Sequence, residues 1–111
     1  MPFDGNEFIF RHLPDSAPLA LVDVVAHLAR QFPALRAELE GPGRNGAWWI
    51  ELAAGGLSPA IEWHEARGFA LYGPGPTLPE EPNAVVAQPL EAAERLGRLM
   101  RHWRGAGLQG A

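Results

Sequence analysis

The sequence predicts an α+β fold in the order α-β-β-β-α, a three-stranded antiparallel meander with two helices packed on one face. Three observations predict it: a helical apolar period over residues 15–40, a period of two over 47–72, and a second helical period over 90–104. The 111 residues are expected to form one domain, because a chain of this length buries roughly 60–70% of its unfolded surface and has no room for a second core.

The N-terminal segment 1–14 contains Glu-Phe-Ile-Phe-Arg-His at 7–12, a candidate short strand closely bracketed by Pro2 and Pro14. From Asp15 the pattern turns helical. Asp15 or Ser16 suits the cap, Pro18 suits the first turn, and Leu21, Val25, Leu28, Phe32, Leu35 and Leu39 recur at alternating offsets of four and three. Pro33 lacks an amide donor, so a kink or break is expected near Gln31-Phe32, with Pro33 opening a second short helix. Gly41-Pro42-Gly43 stops the segment and starts a connector running to Gly46, which lacks the residues of a phosphate loop.

Period two then takes over. Trp48, Ile50 and Leu52 alternate with Trp49, Glu51 and Ala53; Ile61 and Trp63 alternate with Glu62 and His64; Phe69 and Leu71 alternate with Ala70 and Tyr72. Gly55-Gly56-Leu57-Ser58-Pro59 and Ala66-Arg67-Gly68 mark the turns, with Gly68 suited to a left-handed position. Residues 73–89, with prolines at 74, 76, 79, 82 and 89, predict a long irregular loop that an Ala84-Val85-Val86 strand fragment would shorten. The second helix, 90–104, places Leu90, Ala93, Leu96, Met100 and Trp103 on one face, and 105–111 reads as a flexible glycine-containing tail.

Hydrophobic pattern selects a register that pairs Leu52 with Ile61 and Ile50 with Trp63. On the outer face this register sets Glu51 opposite Glu62, Trp49 opposite His64 and Tyr72 beside Glu62. Two aromatics, two carboxylates and a histidine then share one surface. Trp48 and Trp49 are adjacent and point to opposite faces of a strand, so Trp49 is the surplus aromatic. Either the 73–89 loop or the N-terminal segment folds over it, or it meets a partner, since aromatics are enriched in interface cores.

Composition excludes several classes. There is no cysteine, hence no disulfide framework, thiolate zinc site or thiol nucleophile. No apolar run approaches the roughly 20 residues of a membrane span, and the N-terminus lacks an export pattern, so a cytoplasmic location is expected. All nine bases are arginine in an alanine-rich chain, as GC-rich bacterial coding produces. Ser16 reads as a cap and Ser58 as a turn residue, which leaves a serine triad without a starting point.

Three functional readings follow. The favoured one is a small bacterial, non-enzymatic protein-binding module of regulatory, adaptor, antitoxin or immunity type, using Trp49, Glu51, Glu62, His64 and Tyr72 on the outer sheet surface or an open edge to hold another protein or a second copy. No cofactor is expected. The second assigns Glu51, Glu62 and His64 to a metal site or, through the carboxylate pair, to glycosidase-like hydrolysis. The third is nucleic-acid binding through Arg95, Arg98, Arg101 and Arg104, four arginines against two glutamates in a segment whose parent chain is otherwise acidic. That acidity repels a polyanion and ranks this reading last.

Overall fold

The computed structural model describes residues 9–11, 18–75 and 80–107. Its elements are β1 (Ile9–Arg11), α1 (Leu19–Gln31), β2 (Arg36–Glu40), β3 (Trp48–Ala53), β4 (Ala60–His64), β5 (Gly68–Tyr72), β6 (Ala84–Val86) and α2 (Pro89–Gly105). The class is α+β, as expected, but the sheet is larger than three strands. Its order is β1-β2-β3-β4-β5-β6: β2 to β6 form a five-stranded antiparallel meander, and β1 adds in parallel to β2.

The expected helix over 15–40 is corrected. The α1 helix ends at Gln31, where Pro33 predicts a break, but the chain that follows is a strand and not a second helix. Leu35 and Leu39 are four apart and satisfy a helical period, yet Ala37 is buried between them while Arg36, Glu38 and Glu40 are exposed. That is alternation by two. Pairing of β2 with β3 on one side and β1 on the other satisfies its backbone along both edges and overrides local propensity. Pro18 sits one position outside the helix as its N-cap residue, its carbonyl accepting from the Leu21 amide at 3.0 Å. The expected caps Asp15 and Ser16 lie outside the described residues, as do 76–79 of the loop and 108–111 of the tail. Within 73–89, β6 is the strand fragment that the sequence suggests.

The predicted inner face is observed. Trp48, Ile50, Leu52, Ile61, Phe69 and Leu71 are buried, and Trp63 packs against them. They share one cluster with Leu21, Val24, Val25 and Leu28 of α1 and with Ala92, Ala93, Leu96, Met100 and Trp103 of α2. Each large aliphatic or aromatic side chain in it contributes about 1.5–3 kcal/mol of burial. The two helices touch each other, and α2 also meets β5 and β6. Leu90 is a further correction: it is 50% exposed, and Ala92 takes its place inside.

The register is shifted by two from the expected one. Trp48 pairs with Trp63, Trp49 with Glu62, Ile50 with Ile61 and Glu51 with Ala60. The cause is the turn. Gly55 and Gly56, with φ of +57° and +85°, form a two-residue hairpin closed by Ala54 and Leu57, the loop that matches the twist of antiparallel strands. A slip of two leaves every side chain on its own face, so hydrophobic pattern alone does not detect it.

Candidate functional site

Strands β2 to β6 place two rows of side chains across the outer face. One row runs Glu40, Trp49, Glu62, Ala70 and Val85; the next runs Glu38, Glu51, Ala60 and Tyr72. With strands about 4.8 Å apart, Trp49 has a carboxylate-bearing neighbour on either side. The expected pairs Glu51–Glu62 and Trp49–His64 do not form. A like-charge conflict does exist, but between Glu51 and Glu38, which the strand β2 brings directly opposite.

Trp49 is half-buried, and among the described residues Tyr72 packs against it; residues 1–8 and 12–14 of the N-terminal segment and 76–79 of the loop, expected as covers, lie outside the described residues. The two ring centroids lie 5.6 Å apart at 32°, within the range of favourable aromatic pairs. The pair spans β4 because Ala60, opposite Tyr72, is too small to separate the rings. The Tyr72 hydroxyl donates to Glu62 Oε1 at 3.4 Å. Burial first, then the charge of Glu62 and this hydrogen bond, hold the Tyr72 phenol above its ordinary pKa of 10.0. Around this buried tyrosine the face is open: Arg36, Glu38, Glu40, Glu51 and Val85 are all exposed.

His64 has another task. Its Nδ1 accepts from the Ala66 amide at 3.1 Å, which requires the proton to sit on Nε2, and Nε2 donates to the Asn45 carbonyl at 2.8 Å. Both ring nitrogens are used in tying the β4–β5 turn to the β2–β3 connector. Asn45 tightens that connector by accepting from the Ala47 amide at 3.0 Å. Among the described residues no three His, Cys, Asp or Glu side chains come together to hold a metal ion. Glu51 faces Ala60 in place of Glu62, on an open surface and not in the cleft that glycoside cleavage needs.

Arg95, Arg98, Arg101 and Arg104 are all exposed on α2, but two are engaged within the molecule. Arg101 donates to Gln31 Oε1 at 2.9 Å, and the Arg104 guanidinium stacks over the Phe32 ring at 5.5 Å. Among the described residues no hydrogen bond or ring contact engages Arg95 or Arg98. Gln31 also donates to the Ala93 carbonyl at 3.4 Å, so this one side chain joins the two helices.

Glu38, Glu40 and Ala60 complete the outer face and are absent from the sequence-based set. The alternation Leu35-Arg36-Ala37-Glu38-Leu39-Glu40 is the signal that identifies the first two. Among the described residues no helix is long and apolar enough to cross a membrane. Comparison with protein-family models, curated proteins and solved structures found no match.

Proposed function

We propose that the chain is a non-enzymatic protein-binding module that acts through the outer face of its sheet, the helices covering the opposite face. The observation that carries this reading is Trp49, half-buried against Tyr72 in the middle of an exposed, largely acidic surface. A tryptophan held in a fixed orientation presents a large contact area at small entropic cost, the property that makes aromatics interface anchors. The short strand β6, with Val85 59% exposed, continues the same surface to a sheet edge.

The reading gives the chain a regulatory, adaptor, antitoxin or immunity-type role in the bacterial cytoplasm, its partner another protein or a second copy. It uses Trp49, Glu62 and Tyr72 of the expected set directly and Glu51 at the margin. His64 serves the scaffold. The test is Trp49→Ala: partner recovery from the native host and self-association by light scattering, each compared with the parent protein. Loss of binding with retained fold supports the proposal, and unchanged binding rejects it.

A further inference from the structure

The row Glu40–Trp49–Glu62 sets an indole between two carboxylate-bearing neighbours, and Tyr72 fixes the ring from the side. Indole is the best aromatic platform for a cation, and flanking carboxylates supply the paired acceptors that a guanidinium or ammonium group seeks. The charge around it is mostly negative. On the outward positions of β2 to β5 the acids are Glu38, Glu40, Glu51 and Glu62 against Arg36, and β1 adds Arg11 as the register partner of Glu38. Glu38 and Glu51 stand directly opposite, with Arg11 the register partner of Glu38 on its other side, so the carboxylates that flank Trp49 are those of Glu40 and Glu62.

We infer that this face docks a basic segment of a partner protein, an arginine or lysine side chain lying over Trp49 between Glu40 and Glu62. The inference rests on the outer face being a protein-binding surface and names the chemistry it selects. Acidic segments and polyanions are repelled by the same four carboxylates. The partner is a different chain. The basic surface of a second copy would be its α2, and an α2-to-sheet contact is head-to-tail, building a ring or a filament and not a two-fold dimer. Two of the α2 arginines are also engaged internally.

The experiment titrates the intact protein with a hepta-arginine peptide and, separately, with a hepta-glutamate peptide. The readouts are the indole N–H resonance of Trp49, assigned with Trp49→Phe, and calorimetry at low and high salt. The expected result is a shift of the Trp49 resonance with the arginine peptide alone and weaker binding in salt. Glu40→Gln and Glu62→Gln are each expected to lose about fivefold or more in affinity. In Glu62→Gln the amide oxygen can still accept from the Tyr72 hydroxyl, so the charge is removed while the hydrogen bond is kept. Absence of a shift, or affinity indifferent to both Gln variants, overturns the inference. Salt-sensitive self-association dispersed by Glu40→Gln overturns it too, by making a second copy the occupant. A native partner that is lost with Trp49→Ala but unaffected by salt and by the Gln variants overturns the cationic ligand while leaving the binding surface in place.

Discussion

Gly68→Ala tests the packing of β5 against the chain beside it. Gly68 closes the β4–β5 hairpin opposite His64 with φ of +83°. An alanine held in the left-handed region costs about 1 kcal/mol. A Cβ there would also lie 2.5 Å from the Val86 carbonyl oxygen and 3.3 Å from Ala87 Cα. Both are backbone atoms and cannot rotate away, so β6 must move off β5 and weaken the pairing of Phe69 with Val86. One or two backbone hydrogen bonds at about 1 kcal/mol each bring the total to about 2–3 kcal/mol. Two other glycines separate the contributions. Gly107, at φ +78° with nothing within 4 Å of a Cβ, carries the conformational cost alone, and Gly105→Ala at the end of α2 meets nothing and gains up to about 1 kcal/mol of helix propensity. The assay is urea unfolding followed by circular dichroism. Gly68→Ala is expected to be the least stable by at least about 1 kcal/mol, and equality with Gly107→Ala would refute the close approach of β6.

Two further outcomes follow from the outer face and its supports. Tyr72 is the only tyrosine, so absorbance titration of phenolate reports it alone; the folded protein is expected to titrate above 10.0, with Glu62→Gln lowering the midpoint only in part because burial is the largest cause. The folded state then holds a proton that the unfolded chain releases near pH 10, so this contribution to stability is complete below that pH and is lost as pH rises toward the folded midpoint. Tyr72→Phe removes that portion of the alkaline loss, and an alkaline profile identical to the parent's would contradict it. His64→Ala breaks the hydrogen bond from the ring to the Asn45 carbonyl of the β2–β3 connector and the one that the ring accepts from Ala66 within the β4–β5 turn, and is expected to cost about 1–2 kcal/mol in urea unfolding; an unchanged midpoint would show that the ring does not hold the connector.

The inner face is legible in the sequence because alternation is a strong signal wherever one side of a strand is buried: Trp48, Ile50, Leu52, Ile61, Phe69 and Leu71 all lie where the period places them. The same signal is blind to an even slip. Only the choice of Gly55-Gly56 as the two turn residues, with Leu57 returned to the strand ladder, sets Trp49 opposite Glu62 and Glu51 opposite Ala60. Residues 36–40 are ambiguous for a different reason. Leu35 and Leu39 fit both periods, and the partner strands that decide between them come from β1 and β3, a contact no local window contains. This ambiguity hides Glu38 and Glu40, and with them the acidic character of the face. His64 stands out in the sequence as a chemically capable group, but what occupies it is a carbonyl nineteen residues earlier, reached only after the turns are in place.

The central claim, that binding occurs on the outer sheet face and not on α2, is tested most directly by comparing partner affinity in Trp49→Ala and Arg98→Ala, one exchange on β3 and one on α2. Trp49→Ala is expected to lose tenfold or more, about 1.4 kcal/mol or greater, while remaining folded, and Arg98→Ala is expected to match the parent protein. Full affinity in Trp49→Ala together with loss in Arg98→Ala would contradict the account and move the interface to the second helix.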